Sequence, residues 1–174
     1  MNRGLRQFCG LPAADRWLFV RALLALVAID LRLRLYGFRR TVEGNHKHRR
    51  PGKPTSIHQW TRISRYAHWL GVASRHHVVR ARCLHRSLAL HGWLLQQGLP
   101  GELRIGVRKE GTELTAHAWI ELDGRPIFDR PEEVAGFTPL VQQDGRLANW
   151  LRGAGNGVSA STEIPVDGRG LRWQ

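Results

Sequence analysis

The chain has few cysteines, few acidic side chains and no long uninterrupted hydrophobic run. Its 174 residues include two cysteines, Cys9 and Cys83, which are far apart and form neither a disulfide framework nor the spaced pairs of a zinc site. A reducing compartment is the simpler expectation, so a cytoplasmic location is predicted.

Acidic residues are scarce: 14 Asp and Glu stand against 27 Lys and Arg, a formal net charge of +13. A surface of this charge attracts nucleic acid, anionic lipid or acidic peptides, although solubility alone also explains it. No helix-turn-helix, zinc-finger or RNA-recognition signature is present, so no specific nucleic-acid partner is expected. A non-catalytic basic adaptor that binds nucleic acid or membrane stays open as an alternative.

The longest clean apolar stretch, residues 22–29, is far too short to span a bilayer, and no signal-peptide cleavage pattern follows it. Arg and Asp interrupt the surrounding segment, 15–38, which we predict to be one long helix. It can pack on its own domain, on a partner or on a membrane surface, which would make the protein membrane-associated. Gly, Pro and a basic run over 41–55 predict a linker. An N-terminal helix with its linker, 1–55, is therefore placed ahead of the main folded domain.

The second predicted domain, 56–152, begins with two helices. Apolar residues at helical spacing predict the first over 56–70. A wide apolar face predicts a second, largely buried helix over 83–97, which Gly98 and Pro100 end.

The pattern then changes to period two. Alternating segments at 103–108 and 114–122 predict two strands, and a third is expected over 125–129. A helix followed by an antiparallel meander makes the fold class α+β, with an extra N-terminal helix. A short helix is predicted over 141–152, and the Gly- and Ser-rich tail, 153–174, is expected to be disordered.

Two side chains have the chemistry of a nucleophile and its base. Cys83 begins the predicted buried helix, where free N–H groups and a partial positive charge stabilise a thiolate. His117 lies mid-strand on the face opposite the Leu, Ile and Ala residues, where an imidazole can take the thiol proton and later protonate a leaving amine. A buried structural thiol and an exposed strand histidine are the alternatives.

Asp129 completes a triad only in one hairpin register. A strict two-residue loop at 123–124 puts His117 and Asp129 on opposite faces. A loop one residue longer, 123–125, pairs Trp119 with Asp129 and brings His117 to the same face as its diagonal neighbour. We therefore predict the three-residue loop, in which Asp129 orients the imidazole. Trp119 is predicted to shape the substrate cleft, with cross-strand packing as its alternative.

The order of a helix-start Cys, a strand His and an Asp on the next strand is that of the papain and transglutaminase folds. The local sequence is more specific, in the segments 83–90 (CLHRSLAL), 98–100 (GLP), 105–108 (IGVR), 116–121 (AHAWIE) and 124–129 (GRPIFD). Over about 56–135 the chain resembles the leader peptidases of lasso-peptide biosynthesis, the microcin-processing protein family within the transglutaminase-like superfamily.

The resemblance implies a cysteine peptidase that removes the leader from a lasso-peptide precursor. It implies Cys83 as nucleophile, His117 as acid and base, and Asp129 as the orienting residue. The implied partners are the precursor peptide, a small leader-recognition protein and an ATP-dependent lasso cyclase. A transglutaminase-like acyltransferase, with an amine replacing water, stays open. The histidines at 46/48 and 76/77 lack further ligands at metal-site spacing, so neither metal nor cofactor is expected.

Overall fold

The computed structural model describes residues 10–47, 56–76, 83–110, 113–141 and 171–173. Three helices come first: α1 (Ala13–Lys47), α2 (Ile57–His76) and α3 (Cys83–Gln96). The remaining elements are β1 (Glu102–Glu110), β2 (Glu113–Leu122), β3 (Arg125–Pro126), α4 (Pro131–Ala135), β4 (Thr138–Val141) and β5 (Leu171–Trp173). The predicted α+β order, helices followed by an antiparallel sheet, is confirmed.

The N-terminal helix is longer than predicted and bends at Gly37. Gly37 has φ 73° and ψ 177°, so α1 is two helical segments joined at a kink. A positive φ costs glycine little because it has no Cβ. Apart from the adjoining backbone, no atom of the described residues lies within 4 Å of the Cβ position there, so the backbone conformation and not crowding sets the requirement for glycine.

The linker predicted over 41–55 is wrong for 41–47, which continue α1. The reason is tertiary packing: Thr41 and Asn45 are buried, and the Asn45 side-chain amide donates a 3.0 Å hydrogen bond to the Leu88 carbonyl of α3. A Cβ on Gly92 would lie 2.9 Å from Asn45 Oδ1, so glycine permits this close approach. Residues 48–55 lie outside the described residues.

The three helices share one hydrophobic core with β2. Asp15 of α1 accepts hydrogen bonds from Arg65 (2.7 Å) and Trp69 (2.8 Å) of α2, and Tyr66 stacks on Trp93 of α3 with ring centroids 4.6 Å apart. Burying each large aliphatic side chain contributes about 1.5–3 kcal/mol. The fully buried aliphatic residues of this core include Leu26, Ile63, Leu70, Leu88, Leu90, Leu94, Ile120 and Leu122.

The sheet has the strand order β3-β2-β1-β4, and β5 pairs in parallel with β2 at residues 114–116. The strand at Leu171–Trp173 differs from the disorder expected of the tail. Of the predicted helix over 141–152, Val141 lies in β4 and the rest falls outside the described residues. β1 and β2 pair antiparallel, which places Gly106 opposite His117.

The predicted three-residue hairpin loop is wrong. Leu122 pairs directly with Arg125, which leaves only Asp123 and Gly124 in the turn. Both turn residues have positive φ, 51° and 72°. A type I′ turn requires this conformation, and its twist matches that of the flanking strands, so an Asp-Gly pair favours the shorter loop.

Candidate active site

Cys83 is the first residue of α3 and its thiol is almost fully enclosed. The residue is 3% exposed and packs against Ile105 and Ala118 of the sheet. Phe38, which follows the kink in α1, also packs on this small cluster. The predicted position at the start of a buried helix is confirmed, so the N–H groups of the first turn, which have no partner within the helix, lie near the thiol.

His117 and Asp129 meet even though the loop is short. His117 Nε2 lies 3.1 Å from Asp129 Oδ1, and the two side chains are 7% and 12% exposed. The last hydrogen bond that joins this segment to β2 runs from Ile127 N to Ile120 O, at 3.0 Å. The chain then bends over 127–129. Asp129 lies beyond the last paired residue of the strand, so the strand register does not determine on which face of the sheet its side chain lies.

The environment of His117 favours its protonated form. Burial alone lowers the pKa of His117, but the hydrogen bond with Asp129 and the neighbouring Cys83 outweigh burial and raise the pKa to about 9. Since Nε2 faces Asp129, the other ring nitrogen, Nδ1, is the one available to Cys83. Among the described residues, this buried Nδ1 has no conventional hydrogen-bond partner. A neutral imidazole between a carboxylate and a thiol can take the thiol proton, which leaves an imidazolium beside a thiolate.

Aromatic rings enclose the imidazole. Trp119 stacks on His117 with centroids 6.0 Å apart and planes at 14°, and Phe137 lies 5.2 Å away. A Cβ on Gly106 would lie 2.9 Å from Phe137 Cβ and 3.0 Å from the Trp119 ring, so glycine in β1 permits this packing. Trp119 is 3% exposed and donates a 2.9 Å hydrogen bond from Nε1 to Glu121. Its substrate contact stays a prediction.

Helix α3 is hydrogen-bonded to the edge of β2 that faces away from β1, which we call its outer edge. Among the described strands, β5 pairs with this edge at 114–116 and β3 at 121–122, which leaves a gap at 117–119. In that gap the Ser87 hydroxyl donates a 2.8 Å hydrogen bond to the carbonyl of Ala118. Ser87 lies one helical turn after Cys83, so this bond holds the thiol's helix against the residue next to His117.

Replacing Ser87 with alanine is expected to destabilise the fold by about 1–3 kcal/mol, because the Ala118 carbonyl stays buried without its donor. It should also slow alkylation of Cys83 by iodoacetamide at neutral pH, because the thiol and imidazole are held together less closely. Denaturant unfolding and peptide mapping by mass spectrometry measure the two effects.

The matched control is Ser74→Ala, since the hydrogen bond that Ser74 makes among the described residues goes to Gly71 O of its own helix, at 2.8 Å. We expect it to change stability by no more than about 0.5 kcal/mol. Equal alkylation rates in the two variants would contradict a positioning role for Ser87.

Sequence patterns identify some of these residues and not others. The i, i+4 spacing of Cys83 and Ser87 places both on one helix face and is a usable signal. Phe137 belongs to no periodic pattern.

No metal site is found in the described part of the chain, where no three His, Cys, Asp or Glu side chains are grouped to hold an ion. The side chains at 46, 48, 76 and 77 lie outside the described ones.

Comparison with known proteins gives one match. The family model described as transglutaminase-like superfamily matches residues 23–142, which is more than half of the chain. The match begins inside α1, so it includes most of the N-terminal helix as well as the site. Neither a curated protein nor a solved structure matches the chain.

Proposed function

Because the chain belongs to the transglutaminase-like superfamily, we propose that it is a cysteine peptidase that removes the leader from a lasso-peptide precursor. The observation that carries the catalytic part is the contact of His117 with Asp129 at 3.1 Å beside the buried, helix-start Cys83. The substrate part is supported by the resemblance of the local sequence around all three residues to lasso leader peptidases.

In the first chemical step the Cys83 thiolate attacks the carbonyl carbon of the scissile peptide bond. The backbone N–H of Cys83, at the start of α3, donates to the oxyanion that forms. His117 then gives its proton to the nitrogen of the leaving core peptide, and the C–N bond breaks. The products of this step are a leader thioester on Cys83 and a core peptide with a free amine.

In the second step water hydrolyses the thioester. Neutral His117 takes a proton from the water as its oxygen attacks the thioester carbonyl. The C–S bond breaks, Cys83 returns as a thiolate beside the imidazolium, and the leader leaves as a carboxylic acid that releases its remaining proton to solvent and becomes a carboxylate. Asp129 accepts the Nε2–H hydrogen bond throughout, which keeps Nδ1 directed at the reaction and stabilises the cationic ring.

Product analysis tests the proposal. The purified chain is incubated in heavy-oxygen water with the precursor encoded beside it and with its leader-recognition protein, and the products are measured by mass spectrometry. We expect an intact leader and an intact core, with one heavy oxygen in the new leader carboxylate. The free core amine supplies the group that an ATP-dependent cyclase would join to a side-chain carboxyl.

Two other results would contradict the proposal. A leader joined to an added amine, with no label from water, would make the chain an acyltransferase. If the precursor stays unchanged and the chain binds DNA equally well with and without Cys83, the basic adaptor would be favoured. Omission of the recognition protein is the matched control, and we expect it to slow cleavage.

A further inference from the structure

The first segment of α1 exposes an unusual number of large apolar side chains. Six of these residues recur every three or four positions, and each is 37–65% exposed. This spacing puts them on one face of the helix, over about 27 Å from end to end. We name this face the outer stripe: Trp17, Val20, Leu24, Val27, Leu31 and Leu35.

The outer stripe lies opposite the face that α1 buries. Ala22, Leu26 and Ile29 point into the common core and are at most 4% exposed. The helix is therefore apolar on two opposite sides, and its own domain uses only one of them. Within the described residues nothing explains why the second side is apolar.

Charge is distributed unevenly around the same helix. Exposed Arg16 and Arg34 flank the outer stripe on one side, and exposed Arg32 flanks it on the other. The two acidic residues of this segment lie on the protein side: Asp15 is held by α2, and Asp30 bonds Arg34 at 2.8 Å and His85 at 3.4 Å. An apolar stripe between cationic flanks is the pattern of a helix that lies in the interface of an anionic bilayer.

We propose that the outer stripe of α1 binds the surface of an anionic membrane, with the helix parallel to the bilayer plane. Leu, Val and Trp side chains enter the boundary between headgroups and acyl chains, and the flanking arginines contact lipid phosphates. The net charge of +13 adds attraction to the same surface.

A bilayer fits this face better than the other occupants. A second copy of the chain would bring the same arginine flanks against each other, with no acidic partner on the outer face. The stripe is also a convex ridge along one helix, which a fluid interface accommodates without a matching groove. No described helix is both long and apolar enough to cross the bilayer, so the contact is with its surface.

Membrane contact would also set the position of the catalytic helix. Asp30, on the inner side of α1, contacts His85 in the first turn of α3, and Phe38 packs beside Cys83. A bilayer bound to the outer stripe would therefore be separated from the start of α3 by the thickness of one helix.

Vesicle flotation with the full chain tests the proposal. The vesicles are phosphatidylcholine alone, or phosphatidylcholine with phosphatidylglycerol, at low and near-physiological salt. We expect binding to the anionic vesicles and much weaker binding to the neutral ones. Leu24→Ser with Leu31→Ser should weaken binding at least about tenfold, because two exposed apolar contacts are lost. Arg16→Gln with Arg32→Gln should weaken binding to anionic vesicles by about tenfold or more.

The control is Ile57→Ser, which makes the same kind of replacement at an apolar residue that is 76% exposed on α2. It should leave binding unchanged, and circular dichroism should show all variants folded. Equal binding by the stripe variant and the control would overturn the proposal, as would no vesicle binding at all. A dimer, or a complex with the leader-recognition protein, that depends on the stripe while vesicles are not bound would overturn it in favour of a protein partner. Cleavage of precursor is measured separately and does not enter this test.

Discussion

Cys83→Ala is expected to lower the rate of leader release by at least about 10³-fold, because no covalent thioester can form without the sulfur. The substitution removes a single heavy atom from the cluster with Ile105 and Ala118, so it should cost the fold only about 1 kcal/mol. Single-turnover cleavage followed by mass spectrometry measures the rate, and denaturant unfolding confirms that the variant is folded.

Cys83→Ser sharpens the same test. It keeps nearly the same shape and can still face His117, but a hydroxyl is a far weaker nucleophile than a thiolate at neutral pH. We expect its rate to lie close to that of the alanine variant. Cleavage at the wild-type rate in either variant would remove Cys83 from the mechanism.

Asp129→Asn is expected to reduce kcat/KM by about 10²- to 10⁴-fold, because the imidazole loses the carboxylate that orients it and stabilises its charge. The pH profile should change as well. In the wild type the pKa of His117 is raised from 6.5 to about 9, so the imidazolium that protonates the leaving amine persists up to that pH. The rate should therefore fall as pH rises through about 9.

Loss of the carboxylate lowers the pKa of His117, so the alkaline fall should move to lower pH in the asparagine variant. The free energy of unfolding should also fall as pH rises through the same range. Stabilisation by charged His117 is complete below its unfolded pKa of about 6.5 and is lost as pH rises through about 9. Asp123→Asn, in the exposed turn of the same hairpin, is the matched control and should change neither profile. An unchanged alkaline limb in Asp129→Asn would mean that this pair does not set the pKa.

The order of elements was predictable from the sequence because each has its own periodicity. The change from helical spacing to alternation after residue 100 and the Cys83, His117 and Asp129 order are both visible without a structure. The contact between His117 and Asp129 was predicted for an incorrect reason. We expected a longer loop to restore the register, whereas the strand instead ends at Pro126 and the chain bends.

The remaining differences arise from contacts between distant parts of the chain. The residues at 41–47 have a loop-like composition, yet they are helical because Asn45 and Thr41 are buried against other elements. The bond from Ser87 to Ala118 and the packing of Phe137 on His117 likewise join residues that no local pattern relates. Local propensity is a weak guide where tertiary packing decides.

The gap in the outer edge of β2 has a consequence for solubility. An uncovered strand edge offers unpaired backbone groups to other chains and is a common starting point for aggregation. Here α3 covers that edge at 117–119, through the hydrogen bond to Ala118. The packing of α3 that puts the thiol beside the imidazole also keeps strands of other chains from pairing with this edge. Substitutions that loosen the packing of α3 should therefore make the protein less soluble as well as less active.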